Sequence, residues 1–300
     1  MNLRKVRCRS LPTIGLALLL LTAACSAADR STSDGRPTVV AAFYPLAFVA
    51  ERIGGADIRV VNLTKPGGEP HELELTPDDV ATVVDADLVV YLSGFQPAVD
   101  EAVTQAPAQR VVDVRPRARL TRALGEGGVD PHFWLDPLRL RDVAAQIADR
   151  LATLDPAHRE AFRSRAATLT SELDTLDADY RTTLGACRQR VLVTSHSAFG
   201  YLADRYGLEQ RGITGLSPEA EPTPDALADT AEYVRAHHVT TIYFETLVSP
   251  AIAKTVASET GATTAVLDPL EGLADASAGD DYRSVMRSNL ATLAAGQECR

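Results

Sequence analysis

The sequence DPHFWLDP at residues 130–137 joins a strand-rich segment of the chain to a long helical one, and it contains the only Trp. Because Pro131 and Pro137 each disfavour helical backbone at the preceding residue, the segment is predicted to be a stiff loop. Asp136 is a favoured N-cap, and Pro137 is well tolerated in the first turn of the helix that follows. The loop therefore presents the His132 side chain from a rigid support, as a metal ligand or as a surface histidine beside a buried Trp.

Before this loop, short runs of β-branched and apolar residues alternate with helical patterns. The runs predict buried strands at residues 38–43, 58–63, 87–92 and 110–114. Regular alternation of strands and helices is typical of a parallel sheet with helices on both faces. Residues 38–136 are therefore predicted to form an N-terminal α/β lobe.

After the loop, residues 137–188 are predicted to be helical. Apolar residues recur at spacings of three and four from Phe162 to Tyr180, which is the pattern of an amphipathic helix. A helix of about 30 residues that rises by about 1.5 Å per residue is about 45 Å long. Such a length suits a link between two lobes better than an element of one lobe.

Strand patterns return in the last third of the chain, at residues 191–194, 240–245 and 263–267. A long loop is predicted at residues 212–224, and residues 189–300 are predicted to form a second α/β lobe. The predicted fold class is therefore α/β. It has two lobes, each a mostly parallel sheet flanked by helices, joined by a long linking helix.

Residues 1–24 are predicted to be a signal peptide, because four basic residues precede an apolar run that is too short to span a membrane. The sequence LTAAC at residues 21–25 resembles a bacterial lipobox, in which Cys25 carries the lipid. Residues 25–37 would then form a flexible tether. We expect an extracytoplasmic lipoprotein anchored to the cell membrane, with a secreted or periplasmic protein as the alternative.

The predicted mature chain is acidic. Without the four basic residues of the signal peptide, 26 Lys and Arg face 40 Asp and Glu, which is a net charge of −14. Such a charge argues against nucleic acid and anionic surfaces as partners.

Two cysteines remain for pairing once Cys8 leaves with the signal peptide and Cys25 is lipidated. Outside the cytoplasm, Cys187 and Cys299 are expected to form a disulfide that ties down the C-terminal residues. Two unpaired thiols are the alternative.

Three of the six histidines, His71, His132 and His196, lie just past a predicted strand or at a predicted helix start. Ligands bind at that edge of open α/β sheets, outside the carboxyl ends of the strands. Glu245 and Asp268 end two further strands at the same edge, as metal ligands or as helix caps. Three imidazoles and one carboxylate form a closed four-coordinate site that suits Zn²⁺, whereas thiolates are absent and oxygen donors are too few for Ca²⁺.

The residues favour binding over catalysis, and we expect no enzymatic activity. The SHS sequence at residues 195–197 lacks the G-x-S-x-G pattern of a nucleophile elbow, which argues against a serine hydrolase. A zinc hydrolase stays open as an alternative. If Asp268 did not coordinate, the three histidines would leave a position for water.

Several motifs together resemble the zinc and manganese solute-binding proteins of bacterial ABC importers, the ZnuA-like group. They are FYP at residues 43–45, EPHELE at 69–74, DPHFWLDP at 130–137, SH before FGY at 195–201, GLSP to EPTP at 215–224, and LDPL at 267–270. Each motif alone is weak, but their joint order and spacing is specific. The resemblance covers nearly all of the predicted mature chain.

The resemblance implies the metal ligands residue by residue. The EPH motif supplies His71, the DPH motif His132, the SH motif His196, and the acid after the strand near the C-terminus Asp268. Glu245 is then a supporting or alternative carboxylate. Manganese receptors of this kind tend to have Glu where this chain has His196, so the resemblance implies Zn²⁺ as the transported ligand, with Mn²⁺ as the alternative.

The resemblance also implies a receptor that captures Zn²⁺ outside the cell and hands it to the permease of an ABC importer. A receptor for Mn²⁺ or Fe²⁺ and a surface adhesin are the alternatives. Many zinc receptors of this kind carry a His-rich loop before the DPH motif, but residues 115–129 contain no His, so an accessory metal-gathering loop is not expected. The long linking helix is expected to limit hinge closure, so that release involves small lobe tilts or loop movement.

Overall fold

The computed structural model describes residues 35–124 and 128–300. The predicted signal peptide, Cys25 and most of the predicted tether lie outside the described residues. Residues Arg36–Arg300 form one compact unit. In the described part of the chain, none of the helices combines the length and the apolar character needed to span a bilayer.

The first sheet consists of β1 (Thr38–Ala41), β2 (Arg59–Asn62), β3 (Leu88–Tyr91) and β4 (Val111–Asp113). Its strands are parallel and run in the order β2-β1-β3-β4, with Val40 opposite Val61 and Val89. β1 and β3 are central strands covered on both faces, which explains their continuous apolar sequences. A short antiparallel pair, β5 (Ala123–Leu124) and β6 (Gly128–Val129), precedes the DPH motif.

The second sheet consists of β7 (Val191–Thr194), β8 (Glu209–Gly212), β9 (Thr241–Phe244) and β10 (Thr263–Val266). It is also parallel, in the order β10-β9-β7-β8. The sequence-based prediction lacked β8, whose EQRG sequence has no apolar alternation. β8 lies at the edge of the sheet, so main-chain pairing with β7 rather than side-chain burial determines its position.

Helices connect the strands and cover the sheets. The first half contains α1 (Tyr44–Gly54), α2 (Pro77–Asp85), α3 (Pro97–Val103) and α4 (Arg115–Ala118). Two long helices follow, α5 (Pro137–Leu154) and α6 (Arg159–Gly185). The second half contains α7 (Gly200–Tyr206), α8 (Pro224–Ala236), α9 (Ala251–Thr260) and α10 (Tyr282–Gly296). Two parallel sheets with flanking helices and a long connecting helix confirm the predicted fold class.

The helix α6 connects the two halves. It has 27 residues and a length of about 40 Å, and its buried residues include Phe162, Leu169 and Leu173 of the predicted stripe. It packs against α1 of the first half and against α7 and α10 of the second. The Tyr180 hydroxyl donates a hydrogen bond to the carbonyl oxygen of Met286 at 2.6 Å, which ties α6 to α10.

The C-terminal residues are attached beside the start of β7. The backbones of Cys187 and Cys299 form an antiparallel bridge, and their sulfur atoms are joined in a disulfide. Next to them, the buried Gln297 side chain donates from Nε2 to the carbonyl oxygens of Val191 at 2.9 Å and Gln189 at 3.2 Å. These contacts hold the end of the chain against the second sheet.

Candidate metal centre

Four side chains from the two halves converge beyond the carboxyl ends of the strands. His71, His132, His196 and Glu271 each offer one ligand atom, and these atoms lie within 4.8 Å of one another. Oε1 of Glu271 lies 2.8 Å from Nε2 of His132, 3.0 Å from Nε2 of His71 and 3.2 Å from Nε2 of His196. Nε2 of His132 lies 3.2 Å from that of His71 and 3.4 Å from that of His196.

These separations suit an ion with tetrahedral coordination. For donor atoms about 2.0–2.1 Å from a central ion, the edges of the tetrahedron are about 3.3–3.4 Å long. Five of the six separations are 2.8 to 3.4 Å, close to those edges, and the sixth, between His71 and His196, is within 4.8 Å. An ion therefore fits among the four atoms after small shifts of the side chains.

The His71 side chain is the most accessible of the four. It lies in the loop between β2 and α2 and is 11% exposed, whereas the side chains of His132, His196 and Glu271 are at most 1% exposed. Its backbone N–H donates a hydrogen bond to Oε1 of Glu69 at 2.8 Å. His71 is therefore the side chain through which the cluster meets the solvent.

The Asp130 carboxylate fixes the orientation of His132. One oxygen of Asp130 lies 2.8 Å from Nδ1 of His132 and also accepts the backbone N–H of His132 at 2.9 Å. A carboxylate on Nδ1 keeps the proton on that nitrogen, so Nε2 can offer its lone pair to an ion. This role of Asp130 was not predicted from the sequence, although an Asp whose side chain bonds the backbone two residues later is a known local turn pattern.

The Glu245 carboxylate supports His196, which follows β7 by two residues, through an ion-pair contact and a backbone hydrogen bond. One oxygen of Glu245 lies 2.6 Å from Nδ1 of His196 and accepts the backbone N–H of His196 at 3.2 Å. Glu245 thus lies on the far side of the imidazole from the other ligand atoms. This is the supporting position rather than the alternative ligand position that the sequence analysis left open.

Asp268, the predicted fourth ligand, does not join the cluster. Its carboxylate accepts the backbone N–H of Leu270 at 2.8 Å and the Ser277 hydroxyl at 2.7 Å, so it shapes the loop after β10. The carboxylate in the cluster is that of Glu271. The structure thus brings Glu271, three residues after Asp268, to the histidines in place of the predicted residue.

The backbone between these two acids has an uncommon conformation. Leu270 has φ of 58°, in the left-handed region that non-glycine residues seldom adopt. Leu270 lies between Asp268 and Glu271, and only the carboxylate after it lies with the histidines. A rule based on strand ends predicts the first acid after the strand, Asp268, whereas the folded loop brings the second, Glu271, to the histidines. The sequence LDPLEGL offered both acids.

Burial and charge together determine protonation in the cluster. Burial disfavours a charged imidazole, but the carboxylates of Glu245 and Glu271 outweigh it and raise the pKa of His196 to about 10. Burial also opposes ionisation of Glu271, yet the three imidazoles hold its pKa well below the usual range. Burial and the charge of Glu271 raise the pKa of Glu69 to about 8. Without an ion, His196 therefore carries a proton beside an ionised Glu271 at neutral pH.

The serines beside His196 take no part in the cluster. The Ser195 hydroxyl donates to the carbonyl oxygen of Tyr243 at 3.4 Å, and the Ser197 hydroxyl donates to that of Thr214 at 3.3 Å. Both hydroxyls are thus bonded to the backbone. The geometry supports ion binding rather than activation of a serine nucleophile.

Several known proteins are similar to this chain. Zinc-binding lipoprotein AdcA of Streptococcus pneumoniae strain R6 is 36% identical over 292 residues, which cover 91% of this chain and 58% of AdcA. The high-affinity zinc uptake system protein ZnuA of Bacillus subtilis strain 168 is 35% identical over 300 residues, which cover 92% of this chain and 94% of that protein. The crystal structure of the Zn(II)-bound ZnuA-like domain of Streptococcus pneumoniae AdcA has a TM-score of 0.76 and 36% identity, covering 88% of this chain and 100% of that one.

The chain spans 57 to 58% of the length of the AdcA proteins that it matches. The family model described as zinc-uptake complex component A, periplasmic, matches residues 39–296, which is almost all of the described part of the chain. The chain therefore belongs to the ZnuA family of zinc-uptake components.

Proposed function

We propose that this protein is an extracytoplasmic receptor that binds one Zn²⁺ through His71, His132, His196 and Glu271 and delivers it to the permease of an ABC importer. The observation that carries the proposal is the close approach of four ligand atoms, all within 4.8 Å of one another. The domains proposed for residues 38–136 and 189–300 contribute two ligands each, on either side of the proposed linking segment 137–188.

The donor set supports zinc over manganese. Imidazole nitrogen suits Zn²⁺, whereas Mn²⁺ is found more often among oxygen donors in octahedral sites. Three of the four close atoms are imidazole nitrogens and one is a carboxylate oxygen. Four protein donors also complete a tetrahedral zinc shell, so no position remains for the activated water that a zinc hydrolase needs.

The names of the relatives support transport and anchoring. One relative is named a lipoprotein and another a component of a high-affinity zinc uptake system. We extend both properties to this chain, with Cys25 as the lipidated residue and the membrane as the anchoring surface. Zn²⁺ is then cargo, and no covalent bond is made or broken when it binds.

A competition titration tests the proposed function. The full mature chain, purified without added metal and stripped with a chelator, is expected to bind one Zn²⁺ per chain. Mn²⁺ is expected to bind at least about 100-fold more weakly, because it gains less from imidazole donors. Zinc binding at other stoichiometry, or tighter binding of Mn²⁺ than of Zn²⁺, would contradict the proposal.

The raised pKa of His196 predicts a pH dependence that extends above neutrality. Zinc requires the deprotonated Nε2, and the pKa of His196 in the metal-free site is about 10. Burial opposes the charged form of His132, but the carboxylates of Asp130 and Glu271 outweigh it and raise the pKa of His132 as well. Each bound Zn²⁺ is therefore expected to release at least about one proton between pH 7 and 9, and the affinity is expected to rise at least about tenfold per pH unit there. Calorimetry in buffers of different ionisation enthalpy measures the released protons. An affinity that is constant from pH 7 to 9 would show that His196 carries no proton in the metal-free site.

We also propose that the Cys187–Cys299 disulfide forms in the secreted protein. The 112-residue separation closes a long loop, for which the loss of unfolded-state entropy corresponds to at most about 4–5 kcal/mol of stability. Reduction is therefore expected to lower the melting temperature but to leave zinc affinity almost unchanged, since neither sulfur belongs to the ligand cluster. Thiol counting on the denatured, unreduced protein checks the bridge. Two free thiols from Cys187 and Cys299 would refute it.

A further inference from the structure

The two loops that carry His132 and Glu271 also meet at a second point, away from the ligand atoms. The fully buried Trp134 donates a hydrogen bond from Nε1 to the carbonyl oxygen of Pro269 at 2.8 Å. Trp134 lies two residues after His132, and Pro269 lies two residues before Glu271. One indole N–H therefore links the loop of the first half to the loop of the second half.

The indole itself is held from several directions. Its ring lies 5.0 Å from the ring of Phe43 and 5.2 Å, edge to face, from the imidazole of His132. The carbonyl oxygen of Trp134 accepts a hydrogen bond from the Tyr282 hydroxyl at 2.5 Å, which comes from α10 in the second half. Because the indole is packed on both sides, its N–H is held in one position and direction.

The loop that Trp134 contacts is in an unfavourable conformation. Leu270, directly after Pro269, has φ of 58°. Such a backbone persists only where the surroundings hold it. The Asn289 side chain accepts the backbone N–H of Asp268 at 3.0 Å and donates to its carbonyl oxygen at 2.7 Å. The Asp268 carboxylate accepts the backbone N–H of Leu270. Of these four hydrogen bonds, the one from Trp134 comes from the half of the molecule that carries His132.

We propose that Trp134 is a positioning residue that fixes the carboxylate of Glu271 relative to the imidazole of His132. The four ligands are then assembled before an ion arrives, and the ion binds without ordering the loop after β10. Preorganisation of this kind raises affinity mainly by slowing dissociation. The inference rests on the proposed zinc site.

The test replaces the donor while keeping an aromatic ring. Trp134→Phe removes the indole N–H and leaves the Pro269 carbonyl oxygen without that donor. We expect the zinc dissociation constant to rise by about 10- to 100-fold, as for other residues that orient metal ligands, with most of the change in the dissociation rate. The visible absorption of bound Co²⁺ is expected to shift, because it reports the arrangement of the ligands. Chelator competition gives the affinity without relying on Trp fluorescence.

Two further variants complete the design. Tyr282→Phe removes the hydrogen bond to the Trp134 carbonyl oxygen and is expected to weaken zinc binding too, by a smaller factor than Trp134→Phe. If Trp134→Phe does not fold, Tyr282→Phe tests the positioning role in its place. Tyr180→Phe is the matched control, since it removes another buried hydroxyl-to-carbonyl bond, to Met286, in the contact of α6 with α10. It is expected to lower the melting temperature and leave the zinc affinity and the Co²⁺ spectrum unchanged.

The outcomes separate this inference from the proposed function. If the unmodified protein binds one zinc but Trp134→Phe and Tyr282→Phe match Tyr180→Phe in affinity and Co²⁺ spectrum, the positioning role is refuted and the zinc site stands. If the unmodified protein binds no zinc, the proposed function fails and the positioning role fails with it.

Discussion

Replacing His132 by Ala is expected to raise the zinc dissociation constant by at least about three orders of magnitude, well beyond the about 10- to 100-fold cost of losing a residue that only orients a ligand. Nε2 of His132 lies within 3.4 Å of the ligand atoms of His71, His196 and Glu271, so its loss opens the centre of the cluster. The fold is expected to survive, because the Asp130 carboxylate still accepts the backbone N–H of residue 132.

Chelator competition measures this affinity, and circular dichroism of the metal-free variant checks the fold. His237→Ala is a suitable control, since His237 is exposed at the end of α8 and lies outside the ligand cluster. The control is expected to bind zinc like the unmodified protein. An unchanged dissociation constant in His132→Ala would remove the site assignment altogether.

Replacing Glu271 by Gln is expected to have the second largest effect, a rise in the zinc dissociation constant of at least about 100-fold. The amide has almost the shape of the carboxylate but lacks its charge, and Zn²⁺ bound by three neutral imidazoles then loses its only anionic ligand. The variant also removes the carboxylate that helps to raise the pKa of His196. Its zinc affinity is therefore expected to depend less on pH above neutrality than that of the unmodified protein.

Asp268→Asn is the matched variant, because it makes the same chemical change three residues earlier. Asparagine still offers an oxygen to the backbone N–H of Leu270, so the loop after β10 is expected to persist. The zinc dissociation constant should then change by no more than about tenfold, the lower limit for a residue that supports ligands indirectly. The reverse order, with Asp268→Asn the more damaging of the two, would return Asp268 to the ligand set and displace Glu271.

The sequence by itself determined the fold class and three of the four side chains in the cluster. Buried strands such as β1 and β7 consist of β-branched and apolar residues, and α6 shows its apolar stripe at spacings of three and four, so local patterns sufficed to find them. His71, His132 and His196 were predicted together because ligands lie beyond the carboxyl ends of parallel strands. That rule depends only on the order of elements along the chain.

The tertiary structure alone decided which carboxylate joins the histidines and what holds it there. Asp268 and Glu271 are three residues apart, with the left-handed backbone of Leu270 between them, and the second of the two lies with the histidines. The contact of Trp134 with Pro269 spans 135 residues, so no local pattern reveals it. Periodic burial is encoded within a few turns or strands of the chain, whereas a ligand cluster depends on angstrom-scale placement of loops by partners distant in sequence, and only the assembled fold specifies that placement.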